Sequence, residues 1–122
     1  MSELIRVLIA DDHLIVREGL RLILEAEPGF ELVGEASDGA EALELAKKLH
    51  PEVVLMDLRM PRMDGLTVLR TLRERGSLVP VLILSASSER NIAEDTMAQG
   101  AAAYMLKPFD PEALRGTVAE LL

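Results

Sequence analysis

Five short apolar segments alternate with five longer amphipathic ones, and this alternation restricts what the chain can fold into more than any other feature. The apolar segments are Leu4–Ala10, Glu31–Ala36, Glu52–Met56, Val79–Leu84 and Ala102–Leu106. Most are nearly continuous Val, Ile and Leu, as suits strands covered on both faces. Glu31–Ala36 is more polar and reads as an edge strand. Between them, apolar or small residues recur at helical spacing. The sets are Val16, Leu20, Ile23 and Leu24; Ala42, Leu45, Ala46 and Leu49; Gly65, Val68, Leu69 and Leu72; Ala93, Thr96, Met97 and Gly100; and Leu114, Thr117, Val118 and Leu121. The punctuation agrees. Pro28-Gly29 stops the first helix and Pro51 the second. Asp38 caps the second, with Glu41 three residues on as in a capping box. Gly76 and Gly100 stand where a helix gives way to a left-handed residue, and Asp110-Pro111 is an N-cap followed by proline at the first helical position.

Such an alternation implies a parallel sheet with helices on both faces, joined by right-handed crossovers. The expected fold class is α/β, a (βα)5 three-layer sandwich around five parallel strands. Their order, 2-1-3-4-5, is borrowed from the flavodoxin-like class rather than derived from the residues. At 122 residues the chain fits one domain over 1–122. With two phenylalanines, one tyrosine and no tryptophan, its core must be built from Leu, Ile, Val, Ala and Met. There is no cysteine, which excludes disulfides, thiolate catalysis and Cys-ligated metal and suits a reducing cytoplasm. The opening MSELIRVLIADD is not a signal peptide, because its apolar run is short and ends in two acids. No stretch approaches the ~20 apolar residues of a membrane span. A net charge of −8 argues against direct nucleic-acid binding by this domain.

In open α/β sheets, function collects beyond the carboxyl ends of the strands, near the point where the strand order reverses. Strand 1 runs into Asp11-Asp12, strand 3 into Asp57, strand 4 into Ser85 and strand 5 into Lys107-Pro108. Three carboxylates, a hydroxyl and an ammonium therefore converge on one edge. Clustered carboxylates repel each other and hold a proton unless a cation joins them. Mg²⁺ suits the task, since it takes oxygen ligands, keeps several waters and typically uses one or two carboxylates plus a phosphate oxygen. With Mg²⁺ and Lys107 in place, the charge of a phosphoryl group could be neutralised from two sides. A carboxylate is also a competent nucleophile toward phosphorus, giving an acyl phosphate, and Ser85 could donate a hydrogen bond to the phosphoryl oxygens.

The motifs ADDH (Ala10–His13), DLRMPRMDG (Asp57–Gly65), LSAS (Leu84–Ser87) and YMLKPFD (Tyr104–Asp110) occur in this order at the strand ends. With them the chain resembles, end to end, the receiver domain of two-component response regulators. The resemblance implies roles. Asp57 would be the phosphoacceptor. Asp12 would bind Mg²⁺ directly, Asp11 mainly through water, and the backbone carbonyl of Arg59 would complete the protein ligands with Asp57. Lys107 would contact the phosphoryl group, Ser85 would be the switch hydroxyl, and Tyr104 the aromatic that turns inward when Ser85 moves. Lys107-Pro108 would be a cis peptide. A histidine kinase or phosphotransfer protein would supply the phosphoryl group. The face formed by helix 4, strand 5 and helix 5 would pass the signal to an output domain, a partner or a second copy. The start, IRVLIADDHLIVREGLRLIL, is most similar to receivers of the helix-turn-helix NarL/FixJ/LuxR-type subfamily, which implies transcription regulation. No output domain lies within the chain, and an excised receiver and a natural single-domain protein both remain open. Two features depart from the resemblance: Arg62 replaces a glycine common after the loop proline, and the KPFD ending is more typical of other subfamilies.

Each residue also has a plainer reading. An isolated Asp-Asp pair is most simply a helix N-cap, Asp57 a turn former before Pro61, Ser85 a local backbone partner and Lys107 a solvated lysine. Convergence on one edge weighs against all four. Tyr104 could be ordinary half-buried packing with a wet hydroxyl. His13 reads as a surface or helix-start residue, because Mg²⁺ does not select imidazole. Among other functions, an aspartate-nucleophile phosphatase of the haloacid-dehalogenase type needs an acid two residues after the nucleophile, where this chain has Arg59. A flavin or nucleotide binder needs a Gly/Ser/Thr-rich phosphate loop after strand 1, where this chain has Asp-Asp-His-Leu. A scaffold that is never phosphorylated would have no need of the acid pair, the acceptor and the lysine together.

Overall fold

The computed structural model describes residues 4–122; residues 1–3, the start of the segment read as too short for a signal peptide, lie outside them. Strands and helices alternate throughout: β1 Ile5–Ala10, α1 Leu14–Glu25, β2 Phe30–Ala36, α2 Gly39–Leu49, β3 Val53–Asp57, α3 Gly65–Glu74, β4 Val81–Ser85, α4 Arg90–Ala98, β5 Ala103–Leu106 and α5 Pro111–Glu120. The strands form one parallel sheet in the order β2-β1-β3-β4-β5. The polar strand β2 is at an edge, as its composition indicated. It carries a register shift, where Val7 faces Leu32 but Leu8 faces Gly34, the kind of bulge that discourages further edge pairing.

Alternate residues of the central strands feed two separate cores. Leu8, Val54, Met56, Val81 and Ile83 pack with Ala42, Leu43 and Ala46 of α2 and Val68, Leu69 and Leu72 of α3. Val7, Ile9, Val53, Leu55, Leu82 and Leu84 pack with Leu20 and Leu24 of α1 and Leu114 and Val118 of α5. The result is the three-layer sandwich. Strand β4 starts at Val81 rather than Val79, because Pro80 has no N–H to give the ladder; its carbonyl accepts from the Val54 N–H. Both β3 and β4 run one residue further than expected, so Asp57 and Ser85 are the last residues of their strands. No described helix is long and apolar enough to cross a membrane.

Two local expectations are corrected. In α4 the inward stripe is not Ala93, Thr96, Met97 and Gly100. Thr96 is the one buried residue of this helix and Ile92 packs on the core, while Met97 is 43% exposed. Gly100 lies beyond the helix at φ +110°. At α2, the Asp38 carboxylate accepts from the Glu41 N–H at 2.8 Å, but Glu41 returns its bond to the Ser37 N–H, one residue before the cap.

The loop after β3 is seated by two close approaches. A Cβ on Gly65 would stand 2.3 Å from the Asp57 carbonyl oxygen, and one on Gly39 would stand 1.7 Å from that of Met63. The loop therefore rests on its own strand end and on the start of α2. Between these anchors Arg62 adopts φ 68°, a left-handed conformation that costs about 1–2 kcal/mol for a residue with a Cβ. Its guanidinium lies 3.5 Å from Asp38 but is largely in solvent, so that pair contributes little. Arg62→Gly is expected to raise stability by about 0.5–1 kcal/mol, the relieved strain less the added chain entropy. Urea denaturation checks this; a lowered midpoint would contradict it.

Candidate functional site

The acid pair is held by its own turn. The Asp11 N–H donates to the Ala36 carbonyl at 3.0 Å. The Asp11 side chain is buried, and its Oδ1 accepts from the His13 N–H at 2.8 Å. His13 is the N-cap residue of α1 without a side-chain capping bond, so neither aspartate caps that helix in the usual sense. The His13 ring is exposed, with Nδ1 3.2 Å from Asp11 and 3.1 Å from Asp12. Helix-start placement was legible in the sequence; this contact with both acids was not.

Lys107 reaches in from the end of β5. Its Nζ lies 2.7 Å from Asp11 Oδ2 and 3.5 Å from Asp57 Oδ2, so a single ammonium bridges two carboxylates from different strands. The Lys107–Pro108 peptide is cis. Burial pushes the Asp57 carboxyl above its ordinary pKa. Lys107 and the Arg59 backbone pull it down, while the charge of Asp11 adds to the rise. The rise is therefore a matter of lost solvation first, and Lys107 is the main group that opposes it.

Carboxylate oxygens of Asp11, Asp12 and Asp57 and a nitrogen of His13 all lie within 4.8 Å of one another. Hard oxygen donors with excess negative charge suit Mg²⁺, whereas the imidazole does not. The three aspartates therefore fit that ion by their chemistry. A cleft of about 640 Å³ opens over Asp57, lined among others by His13, Arg59, Ser85, Ser87 and Lys107. It has room for a phosphoryl group.

Ser85 belongs to this cleft, and its Oγ accepts from the Ser87 N–H at 3.1 Å. Tyr104 does not line it. Its ring packs on the α2–α3 side of the sheet, and its hydroxyl donates to the Ser87 carbonyl at 2.9 Å. Ser87 thus joins Ser85 to Tyr104 through its own backbone. The structure brings Asp11, Asp12, Asp57, Ser85, Arg59 and Lys107 together, and leaves Tyr104 one residue removed. Sequence reasoning missed Arg17, whose Nη1 donates to the Asp11 carbonyl at 2.6 Å. The available signal was the pair Arg17 and Arg21, four apart on one helix face and facing Glu35 of β2.

The family model described as "Response regulator receiver domain" matches residues 7–119. The transcriptional regulatory protein DegU of Brevibacillus brevis is 41% identical over 110 residues, covering 90% of this chain and 47% of the relative. The nitrate/nitrite response regulator protein NarP of Escherichia coli is 43% identical over 109 residues, covering 89% of this chain and 51% of the relative. The chain spans about half the length of the curated relatives it matches. The solved structure of the signal receiver domain of the response regulator NarL from Mycobacterium tuberculosis superposes with a TM-score of 0.94 at 39% identity, covering 98% of this chain and 96% of that one. CheX-CheY-BeF3-Mg, a complex from Borrelia burgdorferi, gives 0.90 at 30% identity, with coverage of 95% and 87%.

Proposed function

Because the chain belongs to the response regulator receiver domain family, we propose that it is the phosphoacceptor switch of a two-component system and carries a transient phosphoryl group on Asp57. The observation that carries this reading is the position of Asp57: buried at the end of β3, its carboxyl raised by that burial, and facing an open cleft with Lys107 and Ser85 on its walls. A histidine kinase or phosphotransfer protein presents phosphohistidine at this edge. An Asp57 oxygen attacks phosphorus, the P–O bond forms as the P–N bond breaks, and the imidazole leaves with the electron pair. Asp12, Asp57 and the Arg59 carbonyl would hold Mg²⁺ directly, with Asp11 mainly through water. When bound, the ion supplies positive charge against the phosphoryl oxygens. Lys107 supplies it from the other side by shifting from Asp11 to the phosphoryl group.

Ser85 donates its hydroxyl to a phosphoryl oxygen, which draws on the Ser87 N–H that it now accepts from. Movement of Ser87 loosens the Tyr104 hydroxyl bond and biases the face of α4, β5 and α5. The change is a population shift between two packings. That face controls an output domain, a partner or a second copy, and the resemblance to DegU and NarP points to transcription. The domain regulates rather than turning over outside substrates, and it acts in the cytoplasm without itself binding nucleic acid. The test is a ¹H–¹⁵N spectrum with beryllofluoride and Mg²⁺. Large shifts at Asp57, Ser85, Ser87 and Tyr104 are expected only when both are present. Shifts confined to the Mg²⁺-binding turn would overturn the switch, and an unaltered spectrum would overturn the whole reading.

A further inference from the structure

Asp11 is fastened at four atoms, and one of those bonds comes from a residue with no part in the chemistry above. Its N–H donates to Ala36 and its two carboxylate oxygens engage the His13 N–H and Lys107. Its carbonyl accepts from Arg17 Nη1 at 2.6 Å. Arg17 is mostly buried, and its Nε lies 3.4 Å from Glu35 Oε1. The other oxygen of Glu35 takes the fork of Arg21 from one turn further along α1. Glu35 directly precedes Ala36, which accepts the Asp11 N–H. The contacts therefore close a ring: Asp11 to Ala36, along the chain to Glu35, across to Arg17 and back to Asp11.

The Asp11 carbonyl is part of the peptide that leads into Asp12. Holding that oxygen fixes the plane of the peptide, and the plane sets where the Asp12 carboxylate stands relative to Asp57. We propose that Arg17, oriented by Glu35, is a positioning residue for the divalent-cation site: it locks the Asp11–Asp12 peptide so that the acids stay converged before the ion arrives. The proposal rests on the phosphoacceptor reading. Lysine does not reproduce this arrangement, because its ammonium is a point charge on a flexible stem, whereas the planar guanidinium holds the Asp11 carbonyl and pairs with Glu35 from one fixed fork.

The sign of the effect separates positioning from charge. Arg17 is a cation near an acidic site. If it acted through its field alone, Arg17→Gln would strengthen Mg²⁺ binding and Arg17→Lys would leave it unchanged. Positioning predicts that both variants weaken binding, by about tenfold, as for other groups that orient metal ligands. Isothermal titration of Mg²⁺ into wild type, Arg17→Lys, Arg17→Gln and Glu35→Gln measures this. Glu35→Gln is expected to weaken binding less, since it keeps an acceptor for Arg17. Labelling by acetyl phosphate should recover to near the wild-type rate at saturating Mg²⁺ in Arg17→Lys, a split that a general folding defect would not give. Should Arg17→Gln fail to fold, Arg17→Lys decides. Wild-type affinity in Arg17→Lys, or tighter binding in Arg17→Gln, overturns the positioning role alone. A wild-type protein that does not bind Mg²⁺ overturns the phosphoacceptor reading and this role with it.

Discussion

Lys107→Met is expected to destabilise the protein by about 3 kcal/mol in Mg²⁺-free buffer at neutral pH, as for a buried charge stripped of its partner. The Lys107 ammonium is the group that joins Asp11 to Asp57, and Asp11 is 1% exposed. Without it the two carboxylates lose the one ammonium that bridges them, and the remaining cations near Asp11 are the exposed His13 ring, when protonated, and Arg17, which is engaged with the backbone carbonyl and Glu35. Methionine fills the same volume, so the loss is electrostatic rather than a cavity. Lys107 is also the largest influence that lowers the Asp57 pKa, and removing it raises that value further. The sign follows: the ionised cluster costs most above the raised value, and stability returns as pH falls through it. Millimolar Mg²⁺ should restore part of the loss at neutral pH, because the ion binds the folded state. Urea denaturation of both proteins at neutral and acidic pH, with and without Mg²⁺, measures all three effects. A variant as stable as wild type at neutral pH would show that the cluster carries no excess charge.

Asp57→Asn should act in the opposite direction, abolishing phosphorylation while stabilising the fold by about 1 kcal/mol at neutral pH. The folded carboxyl is raised by burial first, with Asp11 adding to it. For an acid whose folded pKa exceeds its unfolded one, ionisation costs stability at every pH above the folded value. That cost fades as pH falls through the folded value and is gone below the unfolded one. Asparagine has the same shape and no charge, so the variant's advantage should be full at neutral pH and vanish in acid. Lys107 still has Asp11 as a partner. Functional residues held against their own stability are common where a site must be ready for a ligand. Thermal melts across the acid range check this. An Asp57→Asn protein less stable than wild type at neutral pH would contradict the electrostatic account of the site.

Most of the site was legible because a parallel βα chain delivers every strand's carboxyl end to one edge, and the strands announce themselves as apolar runs. Asp11, Asp57, Ser85 and Lys107 each follow or close such a run, so their convergence followed from topology before any distance was known. Arg17 was not legible in the same way. Its role depends on the rotation of α1 about its axis and on the level of Glu35 in β2, and at the sequence level Arg17 and Arg21 look like an ordinary solvated face. The inward side of α4 was misjudged because that helix offers few apolar residues. Ile92 packs on the core beside Thr96, while Met97 is exposed. Glu41 was placed on the wrong donor because Ser37 and Asp38 present adjacent N–H groups, and only the approach of the chain into α2 selects between them. The motifs, by contrast, pointed to a receiver from their order and spacing alone, and the family match over 7–119 agrees.

The claim that Asp57 accepts the phosphoryl group is tested most directly by intact-protein mass after incubation with acetyl phosphate. Wild type and Asp57→Asn should be run side by side, with Mg²⁺ and with a chelator. One phosphoryl group added to wild type only with Mg²⁺, removed by hydroxylamine and missing from the variant, is the predicted result. A phosphoryl group that also appears on Asp57→Asn, or none on wild type under conditions that label a known receiver, would contradict it.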